Sequence, residues 1–162
     1  MSQTSNTKVF TVYIKAPAAE IWEAITSPDI NVRYGYRAPM YFELRHGGRF
    51  EAHANEDMRA MGLPPVIVDG EVMASEAPYK LQHSYRFLFS PDTVAEGFTH
   101  LTWEIQETGA GFCRVSVTHD LGSAQGMAGA VSSNYSSSGG GGWTWILSDL
   151  KTLIETGKPM SE

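Results

Sequence analysis

An apolar stripe near the end of the chain is its clearest pattern. Between residues 142 and 157, Trp143, Ile146, Leu147, Leu150, Leu153 and Ile154 recur at three- and four-residue spacing, the period that gathers side chains on one face of an α-helix. Thr144, Ser148, Asp149, Lys151, Thr152 and Glu155 fall on the other face, and Trp145 lies off the stripe. Gly157-Lys158-Pro159 stops the helix, because glycine accepts the left-handed closing residue and proline cannot extend the turn. Burying such side chains is worth roughly 1.5–3 kcal/mol each before entropy is subtracted. A helix of this length is nonetheless marginal alone in water, so it needs a broad apolar surface to lie on.

Period-two patterns supply that surface. Residues 9–15 alternate, with Phe10, Val12 and Ile14 against Thr11, Tyr13 and Lys15, which predicts a half-buried strand. Ala16-Pro17 then opens a helix with Ala18, Ile21, Trp22 and Ile25 on its buried face, and Ser27-Pro28-Asp29 closes it and starts a second, short one. Residues 34–40 are left unassigned, since Gly35 and Pro39 break any pattern. Strands are expected at residues 41–44, 49–53, 66–75, 79–89, 99–107 and 112–120, with a turn at His46-Gly47-Gly48 and another at Glu76-Ala77-Pro78. Residues 55–65 and 90–97 read as loops. Residues 121–142, crowded with Gly, Ala and Ser, read as a mobile connector or a flap. A strand, one or two short helices, six more strands and a long helix make a single α+β domain over residues 1–162, with helices on one face of an antiparallel sheet.

Composition narrows the partners. Twelve Lys and Arg against 18 Asp and Glu leave a net charge of -6, which argues against nucleic acid or an acidic membrane surface. Cys113 is the sole cysteine, so no internal disulfide or multi-thiolate metal site can form, and a reducing compartment is expected. The polar start lacks the apolar core of a signal peptide, and no apolar run reaches membrane-spanning length. The expected setting is cytoplasmic, without membrane insertion.

Several stretches resemble one superfamily. Tyr13-Ile-Lys-Ala-Pro-Ala-Ala-Glu-Ile-Trp-Glu-Ala-Ile25 is similar to the opening strand and helix of START-like, helix-grip proteins. Gly47-Gly48-Arg49-Phe50-Glu51, Gly70-Glu71-Val72, Tyr79-Lys80-Leu81 and Val115-Ser116-Val117-Thr118-His119-Asp120 resemble their central strands. Gly142-Trp143 through Leu147, with Leu150-Lys151 and residues 153–157, resembles the closing helix of the branch formed by homologues of the activator of Hsp90 ATPase. Residues 124–142 depart from that pattern in their Gly and Ser content. The resemblance implies a strongly curved antiparallel sheet wrapped around the C-terminal helix, with a cavity between. It does not fix chemistry, because the superfamily spans carriers, hormone binders, cyclases and chaperone-linked proteins.

Candidate chemistry therefore rests on residues. Tyr34, Tyr36, Met40, Met58, Met61, His83, Tyr85, Phe87, Trp103, His119 and Trp143 are the candidate lining of a ligand cavity, since aromatic rings give flat apolar area and Tyr and Trp add a polar tip. The competing reading is a filled core. His83, His100 and His119 fall on separate strands, but no tight ligand pair is present and no metal or other cofactor is expected. His119 is the best candidate acid–base group, with no catalytic residue assigned. Asp120 next to it should face the opposite side of the strand. Glu71, Glu104 and Asp69 belong on the outer face, and Cys113 packs as a small apolar residue. The first functional reading is sequestration or sensing of a small hydrophobic or aromatic molecule. Its alternatives are a cyclase- or hydrolase-type enzyme in the same cavity and a co-chaperone. A chaperone partner is not expected, because the separate N-terminal region of the eukaryotic activators is not seen. A homodimer stays open, with Trp145 as its exposed anchor.

Overall fold

The computed structural model describes residues 6–137 and 140–160. β1 (Thr7–Ile14) leads into α1 (Ala18–Thr26) and α2 (Pro28–Asn31). There follow β2 (Met40–Phe42), β3 (Arg49–His53), α3 (Glu56–Ala60), β4 (Val66–Glu76), β5 (Lys80–Phe87), α4 (Pro91–Glu96), β6 (Thr99–Glu107), β7 (Cys113–Asp120), α5 (Gln125–Val131) and α6 (Gly142–Thr156). The seven strands form one antiparallel sheet in the order β1-β7-β6-β5-β4-β3-β2. Register breaks between Ala52 and His53 and between Val72 and Ala74. Such irregularities bend the strand and raise its twist, and they fall in the half of the sheet that must curl towards α6.

The apolar stripe of α6 covers the concave face, with Trp143, Leu147, Leu150 and Leu153 buried and Ile146 and Ile154 partly so. Gly157 closes the helix in the left-handed region at φ 83. Two side chains tie its far end to the open edge of β1. Lys151 Nζ donates to the Tyr13 carbonyl at 2.7 Å, and Glu155 accepts the Lys15 N–H at 2.8 Å. Both use backbone groups that an edge strand otherwise leaves unpaired.

Four expectations need correction. The stretches expected as loops at 55–65 and 90–97 contain α3 and α4, each with a side-chain cap. Asn55 accepts the Met58 N–H at 2.9 Å, and Ser90 and Thr93 cap each other reciprocally behind Pro91. The expected mobile connector contains α5, whose first N–H groups donate to the Glu96 carboxylate, Gly126 at 2.8 Å and Met127 at 3.1 Å. α5 buries Met127 and Val131; the expectation for residues 138–139 lies outside the described residues. At the strand ends, β2 covers Met40–Phe42 rather than 41–44, and β5 stops at Phe87. Asp149, assigned to the solvated face of α6, is buried.

Candidate ligand-binding cavity

The sheet is wider than α6, and the space beneath the N-terminal half of the helix is not filled. A cavity of about 320 Å³ lies there. Its floor is the concave face of the sheet: Met40, Ala52, Ile67, Val68, Tyr85, Phe87 and Trp103. Its roof is Gly142, Trp143 and Ile146 of α6. Residues 31–38, α3 with its following turn, and the end of α5 close the sides.

Buried polar side chains hold the segment 31–38 against the core. Asn31 accepts the Met40 N–H at 2.9 Å and donates to the Ile25 and Met40 carbonyls at 3.1 and 3.0 Å. The Tyr34 hydroxyl donates to the Ala24 carbonyl at 3.0 Å, and burial, reinforced by the nearby Asp149 carboxylate, pushes its pKa above the ordinary phenol value. Asp149 accepts the Gly35 N–H at 2.8 Å with one oxygen and the Met160 N–H at 2.6 Å with the other. The sequence reading missed this residue. The signal was present, since Asp149 stands three residues after Ile146 and four before Leu153 and so lies on the apolar stripe itself.

The glycine run before α6 is packed where it is described. A Cβ on Gly142 would run into the Val131 carbonyl, and one on Gly140 would run into the Tyr36 ring. Both residues have positive φ, so this approach of α5, Tyr36 and α6 needs glycine twice over. Trp145, expected as an exposed anchor, is half-buried and lies against Tyr36 at 5.3 Å and Tyr135 at 5.9 Å between ring centroids.

Nine of the eleven candidate residues border the cavity: Tyr34, Tyr36, Met40, Met58, Met61, Tyr85, Phe87, Trp103 and Trp143. Tyr36 and Met61 form its exposed rim. Lining residues absent from the candidate set include Ala52, Leu63, Ile67, Val68 and Ile146, whose aliphatic side chains carry no signal that separates wall from core. His83 and His119 do not line it. Both pair with Leu101 across the sheet, so they share the concave face with Tyr85 and Trp103 and lie beside the cavity, fully buried among its lining residues' neighbours.

Hydrogen bonding fixes the state of both rings. The Trp143 indole N–H can only donate, so His119 Nδ1, 3.1 Å away, accepts. His119 Nε2 then carries the proton and donates to Thr99 Oγ1 at 2.8 Å, and Thr99 donates onward to the Tyr85 carbonyl at 2.8 Å. His83 Nδ1 donates to the Ser84 carbonyl at 2.9 Å, which leaves the lone pair of Nε2 without a partner beside Phe42 and Phe50. Burial lowers the pKa of each to about 4. For His119 the neighbouring His83 adds to the lowering and Asp120 opposes it. His119 is thus a hydrogen-bonded core histidine that orients Trp143, with both nitrogens engaged. Asp120 is exposed and accepts the Gly122 N–H, so it does not orient the His119 ring.

Among the described residues no group of three His, Cys, Asp or Glu side chains converges to hold a metal, and no helix is long and apolar enough to cross a membrane.

The sequence model of the family described as "Activator of Hsp90 ATPase homolog 1-like protein" matches residues 15–155. No curated protein matches the chain. Among solved structures, CalU16 from Micromonospora echinospora superposes with a TM-score of 0.65 at 20% identity, over 96% of this chain and 77% of that one. MLL2253 from Mesorhizobium loti gives 0.64 at 21%, over 92% and 96%. PFC0360w, an HSP90 activator from Plasmodium falciparum, gives 0.62 at 15%, over 94% and 97%. At these identities the likeness carries the fold, the helix-grip architecture.

Proposed function

The chain belongs to the activator of Hsp90 ATPase homolog 1-like family, and from that membership and the geometry above we propose that it binds a small, mainly apolar molecule between α6 and the sheet. The observation that carries this is the cavity of about 320 Å³ itself. An unfilled volume forfeits the dispersion contacts its lining would otherwise make, so leaving it open costs stability that a guest restores. Its aromatic and methionine lining suits an apolar body, and the buried hydrogen bonds of Asn31, Tyr34 and Asp149 hold it open in advance of binding.

Titration with a panel of compact aromatic compounds, read by the fluorescence of the wall tryptophans and by melting temperature, tests the proposal. At one hundred times Kd a guest of the folded state adds about 2.7 kcal/mol, or roughly 5–10 °C for a chain of this size. No response to any member of the panel removes the reading.

Chemistry on the guest has less support. Both nitrogens of His119 are engaged and the ring is not part of the lining, and among the described residues no carboxylate borders the cavity. The family description favours one second reading, contact with an Hsp90-type chaperone. That reading predicts a raised chaperone ATPase rate on adding this protein, and an unchanged rate disposes of it.

A further inference from the structure

Resting on the cavity reading, we infer that the guest is an uncharged, compact aromatic molecule bearing an acceptor oxygen, carbonyl or ether, that the Tyr85 hydroxyl engages. Size comes first. About 320 Å³ is at the small end of the roughly 300–1,000 Å³ range of ligand pockets, which suits a compact guest of one or two fused rings. Shape comes next: Tyr85, Phe87, Trp103 and Trp143 present ring faces and edges, with Tyr85 and Trp103 flanking Trp143 at 6.1 and 5.5 Å between centroids.

The polar inventory of the wall decides the rest. Asn31, the Tyr34 hydroxyl and the Trp143 N–H are already spent on the protein. The Tyr85 hydroxyl and the Trp103 indole N–H have no hydrogen bond among the described residues. The single fully enclosed side-chain nitrogen or oxygen left without a partner there is His83 Nε2. Tyr85 and Trp103 therefore keep open surface at their polar tips, and the open space they share is the cavity. An indole N–H only donates. Burial, with the neighbouring Tyr36 adding to it, raises the pKa of Tyr85, so its phenol keeps its proton and donates as well. Two idle donors call for an acceptor on the guest.

Charge is disfavoured by what the wall lacks. Among the described residues no Lys, His, Asp or Glu borders the cavity, and Arg37 is exposed at its mouth. A carboxylate or ammonium held deep inside, away from the mouth, would lose its water without gaining a counter-charge.

Three probes separate these statements: 2-acetonaphthone, its hydrocarbon counterpart 2-ethylnaphthalene, and 2-naphthoate. Dissociation constants are measured for the wild type and for Tyr85→Phe, with the fold of the variant checked by circular dichroism. The expected result is that the ketone-to-hydrocarbon preference of the wild type falls roughly threefold to tenfold in the variant, the worth of one net hydrogen bond, while the hydrocarbon binds both alike. The carbonyl stretch of the ketone bound to wild type should also shift to lower frequency than in hexane, a readout that stands even if the variant does not fold. An unchanged preference, or an unshifted carbonyl, overturns the Tyr85 anchor and leaves the cavity reading intact. Tighter binding of 2-naphthoate than of the ketone overturns the uncharged guest. Failure of all three probes to bind the wild type overturns the cavity reading, and this inference with it.

Discussion

At its C-terminal end α6 lays Leu150 and Leu153 into a core shared with Ile14 of β1, Ile21 and Ile25 of α1, and Val115 and Val117 of β7. At its N-terminal end the same helix holds Trp143 and Ile146 over open space above β4 and β5. The first half is aliphatic and filled. The second is walled by flat rings and methionines, which do not tile a volume. Polar groups differ in the same sense. The filled end is tied by exposed Lys151 and Glu155 to a strand edge, whereas buried Asn31, Thr99, His119 and Asp149 make hydrogen bonds around the hollow end. A wall with nothing packed on its inner side has to be held by directional bonds from the side chains around it. Asn31, Thr99, His119 and Asp149 meet that need, whereas buried Ser116 pairs with Thr11 at the filled end of the sheet.

The largest effect that separates the halves is truncation. Leu150→Ala removes a fully buried side chain and should cost roughly 3–4 kcal/mol in urea denaturation. Ile146→Ala enlarges a space that is already open and gives up fewer contacts, so its cost should stay below about 1.5 kcal/mol. Equal costs would mean that the hollow end closes up in solution.

Acid should attack the hollow side next. Unfolded histidine titrates near 6.5, while His83 and His119 do so at about 4 in the fold. Between those values the unfolded chain binds protons that the folded one does not, so stability is complete above about pH 6.5 and falls as pH drops towards 4. The loss is on the order of 3 kcal/mol per ring, at about 1.4 kcal/mol per pH unit. Protonated His119 could no longer accept from Trp143. His83→Phe places a ring beside Phe42 and Phe50 and should roughly halve the slope of stability against pH in that window. An unchanged slope would show that other groups carry the acid transition.

Asp149→Ala comes third. It strands the Gly35 N–H and leaves Met160 untied, at roughly 2 kcal/mol, the cost of a buried donor without a partner. Because Gly35 borders the cavity, guest affinity should fall along with melting temperature. Lost stability with affinity intact would show that the brace does not shape the wall.

Much of this was legible in the sequence. Alternation in residues 9–15 and the stripe at 143–154 specify strand and helix, because one period serves one burial face. Seven strands and the closing helix follow from pattern alone, and nine cavity residues follow from their side-chain types once the fold is assumed. What escaped depends on contacts distant in sequence. Glu96 caps a helix some 30 residues later. His119 looks like a base until Trp143 is seen to take its lone pair. The short helices α3 and α4 did announce themselves, through Asn55 and Ser90-Pro91, but only as caps without a periodic stripe. The run at 140–142 reads as linker because glycine marks both freedom and crowding, and only the neighbours of Tyr36 and Val131 tell which.

The smallest effect is the sharpest discriminator, because it adds atoms instead of removing them. Ala24 on α1 and Ala52 on β3 are both nearly inaccessible, yet only Ala52 borders the cavity. Ala24→Leu must push neighbours out of a filled core and should cost about 1–3 kcal/mol. Ala52→Leu has empty space to enter, so the dispersion contacts it gains should offset whatever local strain it brings, and stability should change by less than about 1 kcal/mol in either direction. Its effect on binding should be the reverse of its effect on folding. Three added carbon atoms in so small a volume compete directly with the guest, so affinity for a two-ring probe should fall at least tenfold while the melting curve barely moves. Were Ala52→Leu as damaging to folding as Ala24→Leu, the two ends of α6 would be equally full, and the contrast between them would not describe the protein in solution.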